Sequence, residues 1–295
     1  TQGSITWSPR VDYVDINHDD GEDVAGLKRY STELLVFKPN YIYRFRTAGV
    51  DPDPMIKVGT RSQESIVEGK RGLYFYHDTG VYQYRGGYPE EISRPISDII
   101  RAVPYSQYAD IAGWNDDDHI YWSLGTLTVD GVSWPNTVIR YTESSELWTV
   151  YSYASDIERG IMFNNGSTIK VAVGDASGVV GELGNLNTDF REAINYRLIT
   201  KWYEWEGIQN RKIIQHILAL SEKYQGMKLM YQVNNEIEWK DLGQFTDYLT
   251  NFQPLNVKFN RIRFKITGVS RGESPVFRGL EILQGINEGI IKNAR

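Results

Sequence analysis

Residues 72–84, GLYFYHDTGVYQY, read as a strand, a tight turn at His77-Asp78-Thr79-Gly80 and a second strand. Aromatic and β-branched side chains suit a pleated, half-buried surface, and Asp-Thr-Gly suits a reversal. The same shape recurs. Residues 34–45, LLVFKPNYIYRF, turn at Lys38-Pro39-Asn40. Residues 119–123, HIYWS, return after a longer Gly-bearing excursion as 137–141, TVIRY, and continue through ESSE (143–146) into 147–151, LWTVY. Residues 168–173, TIKVAV, turn through GDASG (174–178) into 179–183, VVGEL. Anchored at Leu34, Leu73, Ile120 and Ile169, the steps are 39, 47 and 49 residues. That period is close to the roughly 40–50 residues of a β-propeller blade. Residues 1–195 are therefore expected to form a propeller-like domain of four or five blades, with Ile5-Thr6-Trp7-Ser8 able to supply a closing strand. A β-sandwich is the alternative, since its hairpins also recur at short intervals; the length of the period favours the propeller.

From residue 196 the spacing changes. Strands are expected at 196–205, 213–220, 227–233, 237–239 (after a turn at Asn234-Asn235), 256–268 and 277–283. Five or six longer strands without the blade period suggest a β-sandwich-like C-terminal domain, residues 196–295. Short helices are expected near 95–102 and 246–251. The fold class is thus all-β.

Composition agrees. Among 295 residues there are 38 aromatics, 27 Gly and 10 Pro, which argues against a helical bundle or disorder. With no cysteine, disulfides, Cys-ligated zinc, iron–sulfur clusters and Cys nucleophiles are excluded. No apolar run reaches the roughly 18–20 residues of a membrane-spanning helix, so membrane insertion is not expected. The start does not read as a signal peptide, and Thr1 in place of Met suggests processing, a recombinant start or part of something longer. The net charge of −6 is unevenly placed. Residues 196–295 carry 15 Lys/Arg against 10 Asp/Glu, and residues 1–195 carry 17 against 28. General nucleic-acid binding by the acidic region is disfavoured, and two regions facing different partners are expected.

Few motifs point to catalysis. His18, His77, His119 and His216 have no metal-pair spacing. Asp15–Gly21 looks like a calcium loop but puts Asp20 where an EF-hand needs Gly, and Gly26 where it needs Glu. Asn115-Asp116-Asp117-Asp118 reads as an acidic turn. Residues 174–184 are Gly-rich, but β-branched residues follow in place of a helix, so a hairpin turn is expected and not a dinucleotide site. Carboxylate pairs such as Glu90/Glu91 and Glu204/Glu206 are what 38 acidic residues produce by chance. Neither a catalytic residue, a metal site nor a cofactor is expected. One strand is more informative. In 260–266, NRIRFKI, Ile262, Phe264 and Ile266 share one face, while Arg261, Arg263 and Lys265 share the other at about 6.6 Å intervals. Three aligned cations could dock an acidic protein surface or phosphates; an ordinary solvated face is the plainer alternative.

Two of these segments carry a resemblance. VAGLKRY (24–30) followed by LLVFKPNYIY (34–43) resembles a recurring blade of bacteriophage tail propeller proteins. GLYFYHDTGVYQY (72–84) followed by PEEIS (89–93) is similar to its partner blade. GMKLMYQV (226–233), EWKDLG (238–243), Arg261-Ile262-Arg263 and FRGLEI (277–282) look like the β domain often appended to these propellers. The family is that of tail nozzle, tail-hub and tail-accessory proteins of short-tailed phages. The resemblance implies a non-enzymatic virion protein that assembles as a homo-oligomeric ring around the DNA exit channel. Its partners would be neighbouring tail and connector proteins, with genomic DNA passing without specific binding. A net-negative propeller would keep DNA from sticking, and the basic C-terminal domain could grip acidic neighbours. A sugar- or receptor-binding tail propeller is the second expectation, from the Tyr and Trp content. A glycoside hydrolase is the third.

Overall fold

The computed structural model describes residues 16, 21–46, 53–129, 131–164, 166, 168–183, 193–204, 211–234, 236–252, 255–270 and 275–288. The chain divides into two compact units, Thr1–Gly184 and Asn185–Arg295. Among the described residues it is all-β, with several sheets, none closed on itself. The one described α-helix, α1 (Ser97–Arg101), follows a 3-10 turn at Arg94–Ile96, where the sequence places a short helix.

The first unit is a succession of antiparallel meanders. The first sheet is β1 (Gly26–Tyr30), β2 (Glu33–Phe37), β3 (Ile42–Arg46) and β4 (Asp53–Ile56). The second is β5 (Val67–Gly69), β6 (Gly72–His77), β7 (Gly80–Tyr84) and β8 (Glu90–Glu91). The third is β9 (Ala112–Asn115), β10 (His119–Val129), β11 (Val132–Thr142) and β12 (Leu147–Ser152). The fourth has β13 (Ile157–Asn164), β14 (Ile169–Asp175) and β15 (Val180–Leu183), with no fourth strand among the described residues. The four hairpins read from the sequence are β2–β3, β6–β7, β10–β11 and β14–β15, one in each sheet.

The second sheet shows why residues 72–77 are apolar without alternation: both its faces are covered. Leu73, Phe75 and Tyr84 pack with Leu35, Phe37 and Ile42 of the first sheet. Tyr74, Tyr76 and Val81 pack with Ile120, Trp122 and Ile139 of the third. In that third-sheet core the Trp122 and Trp148 rings lie 6.0 Å apart. The first strand of the third sheet, β9, lies against both β5 and β13. Small residues allow it: a Cβ on Gly113 would stand 2.5 Å from Val67 Cγ2, and one on Gly160 would fall inside the Trp114 ring's van der Waals surface. A buried carboxylate ties the second and third sheets. Glu143, 1% exposed, accepts the Arg71 and Lys70 N–H groups at 2.8 and 3.0 Å and the Tyr74 hydroxyl at 2.7 Å.

In the fourth sheet, cross-strand partners show which residues share a face. Val171, Val173 and Gly160 lie on the face that meets the third sheet. Ile161, Phe163 and Val180 lie on the other, 67%, 38% and 73% exposed.

Among its described residues the second unit holds two sheets. One orders β16 (Ile194–Ile199), β23 (Arg261–Ser270), β19 (Lys228–Val233) and β20 (Lys240–Gln244), with β17 (Tyr203–Glu204) also on β23. The other orders β21 (Leu249–Phe252), β18 (Arg211–Glu222) and β22 (Leu255–Phe259), with β24 (Val276–Glu288) along β18. Both sheets feed one core: Ile214, Ile217, Phe252 and Phe259 meet Leu229, Tyr231, Phe264 and Ile266.

Four expectations need correction. Residues 196–205 are not one strand: β16 ends at Ile199 and β17 holds only Tyr203–Glu204. Residues 256–268 are not one strand: the chain leaves β22 at Asn260 and enters β23 in the other sheet, with the Asn260 N–H donating to Asn234 Oδ1 at 2.8 Å. Residues 246–251 are not helical. The Thr250 hydroxyl accepts the Thr246 and Asp247 N–H groups and closes a turn, after which alternate burial of Thr250 and Phe252 makes a strand. Residues 237–239 precede β20 and do not belong to it. The expected strand at 5–8 lies outside the described residues, as does the 15–21 loop apart from Ile16 and Gly21. Among the described residues no helix is long and apolar enough to cross a membrane.

Candidate functional site

β23 alternates as its sequence requires: Ile262, Phe264 and Ile266 are buried, and Arg261, Arg263 and Lys265 are half-buried on the opposite face. The three cations are interleaved with two indoles. The Arg261 guanidinium lies 4.5 Å from the Trp202 ring centroid, and Arg263 lies 4.6 Å from the same ring. Arg263 also lies 5.0 Å from Trp239, and the Lys265 ammonium stands 4.5 Å from that ring. The result is a ladder, Arg261–Trp202–Arg263–Trp239–Lys265. Each cation–π rung contributes about 0.5–2 kcal/mol, more as water is excluded.

Local structure places each rung. Trp202 sits between β16 and β17, where Thr200 brackets Phe264: its N–H donates to Phe264 O at 2.9 Å and its hydroxyl accepts the Phe264 N–H at 3.0 Å. Trp239 stands just before β20, at the end of a loop held by Gln232, whose amide donates to the carbonyls of Glu236 and Ile237 at 2.6 and 2.9 Å. The Oε1 of the same Gln232 accepts Arg263 Nε at 2.7 Å. Arg261 Nε donates to the Asn234 carbonyl at 3.1 Å, and its Nη1 lies 4.0 Å from Glu204. Register adds Arg197 and Lys228, both opposite Thr267, to this face. Burial pushes the Lys265 ammonium below its ordinary pKa, and the neighbouring charges of Arg197 and Arg263 push the same way. The face is therefore cationic and crowded with aromatic and basic side chains.

The two tryptophans escape a reading of β23 alone, because they come from segments about 60 residues upstream and 20 residues away in the chain. Period-two cations with a tryptophan in each segment next to a flanking strand is the signal that could find them.

The other sequence candidates resolve as local structure. Asp116 accepts from the Tyr121 hydroxyl, the Asp118 N–H and His119; burial opposes its ionisation, but these bonds win and hold it below the usual carboxylate range. Asp175 Oδ1 accepts three bonds from Ser177 and Val179 and closes the Gly-rich turn. Glu91 pairs with Arg94 at 3.3 Å, and Glu206 lies outside the described residues. His77 Nδ1 engages Thr79. Among the described residues no group of His, Asp and Glu side chains could hold a metal ion.

No family model matches the chain, and neither does any curated protein. Among solved structures it is similar to an extracellular domain of a two-component system from B. thetaiotaomicron, at 12% identity and a TM-score of 0.32. That match covers 79% of this chain and 29% of the other, so the chain spans under a third of its length. A glycoside hydrolase matches at 10% identity and a TM-score of 0.19, covering 85% of this chain and 69% of the other. A Bacillus thuringiensis Cry1Da tryptic core variant matches at 11% and 0.22, covering 88% and 50%. At these scores the likeness carries neither fold nor function.

Proposed function

We propose that this chain is a non-catalytic structural protein of a bacteriophage tail, one of several copies joined in a ring around the channel through which DNA leaves. In this reading the four meanders are the blades of an open, propeller-like array, and the second unit is a β-sandwich. The observation that carries the reading is the uncovered end of the array. The first and second sheets each bury an apolar face against the next, and the third meets the fourth through Trp114 and Gly160, whereas the fourth ends on Ile161, Phe163 and Val180 facing solvent. Repeat arrays that stand alone end on polar caps. The occupant proposed for this face is a second copy, by continuity with the sheet-to-sheet packing inside the chain. Leu27 and Leu34, exposed on the first sheet, are the matching apolar surface. Charge favours the same head-to-tail partner. The cation ladder would meet the acidic first region of a neighbour, and such steering weakens with salt. The segments resembling tail propeller blades, 24–43 and 72–93, lend the phage context.

Gold-labelled antibody on virus particles from the source tests the place, and sedimentation of the full chain tests the ring. We expect label at one tail vertex. We also expect association that grows with concentration, weakens in high salt and is reduced by Ile161→Lys with Val180→Lys. Particles without label while the antibody recognises the native protein would overturn the tail reading. A monomer at every concentration and salt would overturn the ring.

A further inference from the structure

A concave feature lies in the first unit, where pieces of three successive meanders converge. The approach to β1 brings Asp23, the β2–β3 turn brings Pro39, and the connection into β5 brings Arg61. The turn before β9 brings Tyr105 and Ser106. Together with two alanines they line an open cleft of ≈ 390 Å³, within the range of small-molecule sites.

Two of its groups, Arg61 and Tyr105, are held in place. Arg61 forms a forked pair with Asp78, with N···O distances of 3.1–3.2 Å through Nε and Nη2, and Nη1 remains outside that fork. The guanidinium stacks on Tyr105 at 4.6 Å. Tyr105 is braced edge-on by Tyr108 at 5.5 Å, and the same Tyr108 contacts buried Tyr76. Tyr105 is nevertheless 65% exposed, an aromatic ring presented on a fixed mount.

The chemistry narrows the occupant. Asp78 already balances Arg61, while Asp23 lines the cleft and Glu22 is close enough to act on Arg61, so an anion would meet net negative charge. A wholly apolar ligand would strip water from a carboxylate and a guanidinium without replacing their hydrogen bonds. A neutral polyhydroxylated ring uses every feature. Asp23 offers paired acceptors, Arg61 Nη1 offers donors, Ser106 offers both, and Tyr105 offers a platform for a C–H face. We propose that this cleft binds a neutral saccharide. The inference does not rest on the tail reading, since a free lectin would use the cleft in the same way.

The test is a printed array of neutral, sialylated and sulfated glycans probed with the full-length chain. Calorimetric titration of the best neutral glycan against wild type, Tyr105→Ala and Asp23→Asn follows. We expect neutral glycans to be retained, a loss of about ten-fold in Tyr105→Ala from the missing stacking surface, and a weaker loss in Asp23→Asn. Should Tyr105→Ala fail to fold, Asp23→Asn decides in its place. Retention of no neutral glycan, retention of anionic glycans alone, or a neutral glycan whose affinity both folded variants leave unchanged would overturn the proposal. Particle labelling is blind to all of these outcomes, so the two readings fail separately.

Discussion

Glu143 shows how far one side chain can depart from its sequence context. In ESSE (143–146) it reads as the start of a solvated turn. It is buried because the neighbouring sheet turns at Lys70-Arg71 and presents two N–H groups and the Tyr74 hydroxyl to it. Nothing local to residue 143 encodes that meeting. Glu143→Ala is expected to cost about 1.5–3 kcal/mol, since two turn amides and the buried Tyr74 hydroxyl lose a charged acceptor. Tyr74→Phe is expected to cost only about 1–2 kcal/mol, because Glu143 keeps both amides. Urea denaturation midpoints check both. His77 supplies a pH dependence. Burial pushes its imidazole below the ordinary 6.5, with Arg61 adding to the depression and Asp78 and Glu22 opposing it. Below that value the unfolded chain takes up a proton that the folded ring refuses, so stability falls as pH falls through this window. Wild type is expected to lose more stability than His77→Asn between about pH 7 and pH 5, measured as the difference between their melting curves. Asn retains an acceptor for the Thr79 N–H that now reaches His77 Nδ1 at 3.2 Å. The cations 261, 263 and 265 were legible because period two is a property of one strand. Their indole partners were not, because sheet neighbours are set by topology.

At the level of elements, hairpins were legible and their flanking strands less so. A hairpin carries its own turn chemistry, as in Asp78-Thr79 between partners His77 and Gly80. Short flanking strands such as Val67–Gly69 and Glu90–Glu91 have too few residues to show a period. The region 246–251 misled for a related reason: the Thr250 hydroxyl, and not a helical ladder, satisfies the backbone there. The contact of β9 with β13 gives a sharp contrast between two glycines of one sheet. Gly160→Ala is expected to destabilise by about 1–3 kcal/mol, because its Cβ would displace the Trp114 ring. Gly174→Ala, with no neighbour within 4 Å, is expected to stay within about 0.5 kcal/mol of wild type. Thermal unfolding of the two variants separates close sheet packing from a general intolerance of substitution.

On the whole-molecule scale, the all-β class was visible in composition and spacing. What lies beyond the fourth sheet was not, because a period reports that units repeat and says nothing about what caps the last one. Exposed Ile161 and Val180 make the chain's surface chemistry testable without a known partner. The wild-type chain is expected to bind a hydrophobic fluorescent dye in its folded state, and Ile161→Lys with Val180→Lys to lose most of that signal with an unchanged far-ultraviolet spectrum. The tryptophans carry a last consequence. In the first unit Trp122 and Trp148 are close enough for their transition dipoles to couple, while in the second Trp202 and Trp239 emit beside positive charge. The Trp122–Trp148 pair thus gives the first unit a circular-dichroism signature of its own, by which its melting can be followed in an unlabelled sample.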